Sequence, residues 1–321
     1  MIRVPCSNRH CSGLQAFIRR PSLLCSQQQH LDPNSPFQRK NHSSSLARTA
    51  RAPPGLDTAT IRRRNLLNDA AIALHQVLAP ANIRFGIFGG YALNALGSVR
   101  RTKDINCLAS VSKEQAIALL DGKNGFSVAL QHRQDYVKFM WPWPPRSDES
   151  GELDAIPVEI FCEVFPGAQY SMSTMHPEPT VRSVDGDRLG TGPSTFLDPF
   201  YLFKDKLHAA ATRAKPEPRH TSEARSKSKS NSKPRSAFRP VSPDSFDLRW
   251  LADNYSPAIK PRSVELNPQF VGLALKQYTE LGPYFHALGV NIAAAKQAVR
   301  ELSPEYLTAP EDGDVQRGLL G

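Results

Sequence analysis

The chain of 321 residues is 40% hydrophobic, enough to build a packed core in one large domain or two modest ones. Its formal charge of +10 is concentrated in two places: residues 1–55 and residues 213–239 each carry +7, so the rest of the chain is at −4. Composition therefore gives the foldable part no dedicated nucleic-acid-binding face. No apolar run approaches the roughly 18 residues that a bilayer span requires, so a soluble intracellular protein is expected.

The five cysteines form no C-x-x-C pair. Cys6, Cys11 and Cys25 lie in the basic N-terminal segment, and Cys107 and Cys162 fall on expected strands, where buried free thiols in a reducing compartment are the reading. Residues 1–55 are rich in Arg, Ser and Gln, with no acid before Asp32. They read either as an organellar transit peptide, with Leu14, Phe17 and Ile18 beside Arg19 and Arg20, or as a disordered basic leader. A cytoplasmic or a mitochondrial location follows from that choice.

Ordered structure is expected to begin near Asp57, with Thr60 capping a helix to about Leu78 whose apolar face holds Leu66, Ala70 and Leu74. Ile83–Phe88 reads as a buried strand stopped by Gly89-Gly90, and Tyr91–Leu96 as a short helix closed by Gly97. A second strand at Ile105–Ala109 leads into a helix over Val111–Leu120, opened by Ser112 with Gln115 at capping-box spacing. Further strands are expected at Phe126–Gln131, Tyr136–Trp141 and Val158–Val164, with an irregular stretch from Pro166 to Ser194. Leu197–Thr212 reads as a helix with Lys204, Lys206 and His208 largely outside.

Residues 213–243 are dominated by Ser, Lys, Arg and Pro and bury too little to offset their ordering entropy, so a disordered basic insertion is expected there. Helices resume at Asp244–Asn254, Asn267–Leu281 and Tyr284–Leu302, with a loose tail over 303–321. The fold class is α/β (α+β): a mixed β-sheet with helices over 57–212, followed by a small C-terminal helical region over 244–302.

The most informative part of the chain is Ile87-Phe88-Gly89-Gly90-Tyr91-Ala92-Leu93 followed by Arg100-Arg101-Thr102-Lys103-Asp104-Ile105-Asn106. Gly89 and Gly90 let backbone N–H groups approach phosphate oxygens ahead of a helix. Arg100, Arg101 and Lys103 supply cations that match phosphate, and Thr102 can order the turn before Asp104. Positions 104 and 106 share a strand face because side chains alternate. Tyr136 and the Trp141-Pro142-Trp143-Pro144 run offer aromatics that could stack on a base, although core packing is the simpler use.

This order of turn, short helix and Arg-x-Thr-x-Asp strand resembles nucleotidyltransferases of the polymerase-beta superfamily, in which the motif ends Asp-x-Asp. A second likeness, to minimal and abortive-infection-type members, lies at Lys204-Asp205-Lys206-Leu207 and at Asp244 to Leu248. The resemblance covers about residues 60–255 and implies transfer of a nucleoside monophosphate from a nucleoside triphosphate, with Mg²⁺ or Mn²⁺, to an acceptor that is RNA, protein or a small molecule. It implies Asp104, Asn106 and Glu159 as catalytic metal ligands, with Asp154 an alternative to Glu159. Nucleotide contacts are implied for Gly89, Gly90, Tyr91, Arg100, Arg101, Thr102, Lys103 and Lys206.

Asn106 departs from the family's second Asp and offers a neutral carbonyl oxygen in place of a charge. A catalytically degenerate nucleotide-binding or RNA- or partner-binding protein of the same fold is therefore the alternative. Residues 213–239 are a further place for weak nucleic-acid contact.

Overall fold

A computed structural model describes residues 58–129, 131–142, 155–213, 242–300 and 312–321. The basic leader, the Ser/Lys/Arg insertion, Trp143, Pro144 and Asp154 lie outside the described residues. Helix α1 (Thr58–Leu78) leads into strand β1 (Phe85–Phe88), the short helix α2 (Gly89–Ala95), strand β2 (Ile105–Ser112) and helix α3 (Lys113–Leu120). Strands β3 (Ser127–Ala129), β4 (Tyr136–Pro142) and β5 (Ala155–Val164) follow, then β6 (Thr180–Asp185) and β7 (Thr191–Phe196). The remaining helices are α4 (Pro199–Thr212), α5 (Pro243–Ile259), α6 (Pro268–Gln277), α7 (Gly282–Ala287), α8 (Ile292–Arg300) and α9 (Asp314–Leu320).

The strands form one mixed sheet in the order β3-β4-β5-β2-β1-β7-β6. Antiparallel β1–β2 and parallel β2–β5 pairs place the motif strands at its centre. Strand β2 buries Ile105, Cys107, Ala109 and Val111 on one face, a period-2 pattern that fixes its register, because a slip of one residue would turn Asn106 into the core. The capping box at α3 is present: Ser112 Oγ accepts from Gln115 N while Gln115 Oε1 accepts from Ser112 N. Helix α1 starts at Thr58, so Thr60 is already helical rather than capping.

Four expectations need correction. The stretch to Ser194 holds the hairpin β6–β7, which its polar side chains, Gly192 and Pro193 concealed. The hairpin gains its place through α1. The fully buried Asp69 carboxylate accepts the backbone N–H groups of Asp187, Arg188 and Leu189 at 2.8–3.1 Å, and Gly192 packs so closely on Ile72 that a β-carbon there would lie 2.8 Å from its Cγ2.

Second, Lys204, Lys206 and His208 are buried. Helix α4 buries side chains around its whole circumference, Phe200, Tyr201, Leu202 and Phe203 in successive positions, and packs against α5, α6 and α9 as well as α2 and β1. An amphipathic reading assumed one solvent face, and tertiary packing removed it. Third, the C-terminal stretch expected as a tail contains α9, with Leu319 and Gln316 buried and Gln316 Nε2 donating to the Cys162 carbonyl at 2.8 Å. Fourth, the helix expected over 284–302 breaks at Gly289, whose φ of +80° ends α7 before α8 begins.

The apolar core runs without interruption from the sheet (Ile87, Ile160) through α4 (Phe203) to the C-terminal helices (Leu251, Phe285). No helix among the described residues is long and apolar enough to cross a membrane. Cys107 and Cys162 are buried free thiols, as their strand positions suggested.

Candidate active site

The Gly-Gly turn and the Arg-x-Thr-x-Asp stretch meet. Gly89 has φ +72°, a left-handed conformation that glycine tolerates, and a β-carbon on it would lie 2.7 Å from Asn106 Nδ2. A β-carbon on Gly90 would lie 2.8 Å from Thr102 Oγ1 and 3.5 Å from Arg100 Cζ. Both glycines are thus required by the close approach of the motif loop, independently of any ligand.

Across the sheet one row of register partners runs Phe88, Asn106, Glu159, Lys138. Neighbouring residues in such a row point to the same face. Glu159 sits beside Asn106 and opposite Lys138, whose Nζ lies 3.9 Å from Glu159 Oε1. The same Oε1 accepts the Tyr136 hydroxyl at 2.9 Å. The Phe161 ring packs tilted against those of Tyr136 and Phe88, with centroids 5.2 and 5.5 Å away. Burial pushes the Tyr136 phenol up, and the charges of Glu159 and Asp104 push it further, so it stays a hydrogen-bond donor at neutral pH. Asp104 belongs to the same neighbourhood and takes the Thr102 hydroxyl at 3.1 Å.

Of the three positions expected to hold a metal, two carry a carboxylate. Asp104 and Glu159 are carboxylates, while Asn106 Oδ1 is buried without a hydrogen-bond partner among the described residues, a vacant acceptor aimed away from bulk water. Among the described residues no group of three His, Cys, Asp or Glu side chains could hold a metal. Glu159 already has a hydroxyl and an ammonium beside it. A pair of Mg²⁺ ions would draw on carboxylates at all three positions, and position 106 has none.

Arg100 and Lys206 are brought together by one acid of the Asp244–Leu248 stretch. The Arg100 guanidinium bonds the Asp247 carboxylate, and Lys206 Nζ lies 3.8 Å from Asp247 and 3.0 Å from Asp205. Asp247 is fully buried. Burial outweighs the two cations and pushes its carboxyl up to about 6. Lys206 is therefore next to the site through Arg100, held on internal carboxylates instead of standing in the open.

Tyr91 does not fit its expected role as a nucleotide contact. It is 1% exposed, and its hydroxyl donates to Asn68 Oδ1 at 2.9 Å between α2 and α1. Arg101 and Lys103 are exposed and Thr102 half-buried, on a loop held by α1: Arg63 Nη2 donates to the Lys103 carbonyl at 2.9 Å and Arg64 Nη2 to the Asn94 carbonyl at 3.0 Å. Lys138, Arg63 and Arg64 escaped sequence reading. An alternating strand with a lysine two residues after a tyrosine, opposite a strand glutamate, was the one available signal for Lys138. The α1 arginines look in sequence like a solvated helix start.

No family model matches the sequence, and no curated protein matches it. Among solved structures, an antigenic nucleotidyltransferase-like protein from Paracoccidioides brasiliensis is similar at 15% identity and a TM-score of 0.40, covering 70% of this chain and 93% of that one. A candidate nucleotidyltransferase from H. pylori is similar at 14% identity and a TM-score of 0.38, covering 79% of this chain and 100% of that one.

Proposed function

We propose that the protein binds a nucleoside triphosphate between the Gly89-Gly90 turn and the row Asn106–Glu159, and transfers its nucleoside monophosphate to an acceptor hydroxyl. The observation that carries this reading is the packing of Gly89 on Asn106 and of Gly90 on Thr102, which makes the turn and the Arg-x-Thr-x-Asp stretch one constellation. In the transfer, an acceptor oxygen forms a bond to the α-phosphorus, the bond to the bridging oxygen breaks, pyrophosphate leaves, and the hydroxyl proton passes to the Asp104 carboxylate. Lys138 and the Tyr136 hydroxyl hold Glu159 in place, and Arg100 contributes positive charge at Gly90. A single Mg²⁺ or Mn²⁺, held by Asp104, Asn106 Oδ1 and Glu159, would supply neutralising charge at the phosphates.

A second reading is a protein of the same fold that binds nucleotide without transfer. Asn106 in place of a carboxylate, together with Arg100 and Lys206 both engaged by Asp247, favours it. The two readings part when the protein is incubated with labelled ATP, GTP, CTP and UTP and Mg²⁺ or Mn²⁺, alongside Asp104→Ala and Asn106→Asp. Labelled product that Asp104→Ala abolishes supports transfer at this site; product that survives Asp104→Ala refutes it. Product formed only by Asn106→Asp identifies a lapsed enzyme.

A further inference from the structure

On the α1 side of the motif loop lies a cavity of about 440 Å³ between the first turns of α1, the end of α2 and residues 98–103. Among the described residues its lining contains Arg63, Arg64, Arg101 and Lys103, together with Arg100, whose charge Asp247 meets, and no carboxylate. Loop anchoring accounts for only part of this charge. Arg63 and Arg64 each give Nη2 to a backbone carbonyl, and a guanidinium has five N–H donors. Arg63 Nε is buried with no hydrogen-bond partner among the described residues. That atom has almost no accessible surface and is closed to a ligand, so the donors offered to the cavity are the guanidinium ends of Arg63 and Arg64, with Arg101 and Lys103 beside them.

We propose that this cavity binds a phosphate group. The volume lies within the range of small-ligand pockets, and guanidinium forks match phosphate oxygens. Thr60, Ser98, Thr102 and Asn94 add neutral polar groups to the wall, and among the described residues no aromatic side chain lines it. Without a stacking surface, a nucleic acid would be held here by its backbone and not read by its bases.

Thr102 both lines the cavity and donates to Asp104, so the cavity adjoins the proposed transfer site from the opposite side of the loop. On the nucleotidyl-transfer reading, on which this assignment of role rests, the cavity receives the phosphate of the acceptor, which is then a phosphorylated molecule. Two sources share that chemistry, a small phosphate ester and a polynucleotide end.

The test measures binding to the full chain with no nucleoside triphosphate present, which keeps it independent of transfer. Pyrophosphate is titrated by calorimetry and fluorescein-labelled octauridylate by anisotropy, against wild type, Ala59→Glu and Val99→Glu. Both residues are exposed on the cavity wall, where an added carboxylate is solvated, and a glutamate in the first turn of α1 also suits the helix dipole. At least one probe binds wild type, and each added carboxylate weakens that binding about tenfold or more. Octauridylate binding with this sensitivity assigns a polynucleotide end, and pyrophosphate binding alone assigns a small phosphate ester.

The proposal is overturned if neither probe binds, or if both variants bind as wild type does, which would locate any octauridylate binding elsewhere on the chain. It is also overturned if an octaglutamate peptide binds where both phosphate probes do not. Loss of labelled product in the transfer assay with intact probe binding would remove the acceptor role and leave the phosphate site standing.

Discussion

Gly89 packs face to face with Asn106: the backbone of the turn approaches the amide so closely that no β-carbon fits between them, and φ is +72°. The motif's two halves are therefore mechanically one piece. Gly89→Ala must relieve both the contact and the left-handed backbone, and is expected to cost about 2 kcal/mol. Urea unfolding of the variant checks the cost, and weaker binding of a fluorescent ATP analogue checks the coupling to the site. Unchanged stability would show that the turn can move away from β2.

Asp69 ties the β6–β7 hairpin to α1 through three backbone N–H groups. Removing the carboxylate takes from those donors their one buried acceptor. Asp69→Ala is expected to lose about 3 kcal/mol, and hydrogen exchange should rise first over residues 186–190. Uniformly raised exchange across the sheet would show that the hairpin is held by its strand pairing instead.

Asp247 sets a pH dependence. Its folded carboxyl is raised to about 6 from 3.8. Between those values the folded protein keeps a proton that the unfolded chain has released, so stability from this group is greatest below pH 3.8, falls as pH rises through the window, and is level above about 6. Asp247→Asn is expected to flatten that slope when urea midpoints are compared from pH 4 to 7. A wild-type and a variant curve that run parallel would mean that Arg100 and Lys206 hold the carboxyl ionised throughout.

Helix α9 covers α4. A β-carbon on Gly318 would lie 2.5 Å from His208 Cγ, and Leu319 is fully buried. Gly318→Ala overpacks this contact, with an expected loss of about 2 kcal/mol, and Leu319→Ala opens a cavity costing about 3 kcal/mol. Thermal melts of both variants give the measurement. A melting temperature within a degree of wild type for Leu319→Ala would mean that α9 detaches readily.

Local chemistry carried much of the fold. The period of α1, the apolar runs of β1, β2, β4 and β5, and the Ser112–Gln115 capping box are each decided by residues within one turn or a few strand positions, so they were legible. The hairpin β6–β7 was not, because its place depends on Asp69, 118 residues or more away in the chain. Lys206 and His208 read as solvent-facing because nothing in α4 itself announces that α9 returns to bury it.

The candidate site divides in the same way. The amino-acid order determined that Gly89-Gly90, Thr102, Asp104 and Asn106 belong to one strand–turn–helix–strand unit, since left-handed glycine and side-chain alternation are local constraints. Register across the sheet decided that Glu159 stands beside Asn106 and that Lys138 faces Glu159. Packing of α5 and α1 decided that Arg100 and Lys206 share Asp247 and that Arg63 and Arg64 surround the motif loop. Those are contacts between segments far apart in the chain, where a charge is indistinguishable in sequence from a solvated one until the surfaces that bury it have met.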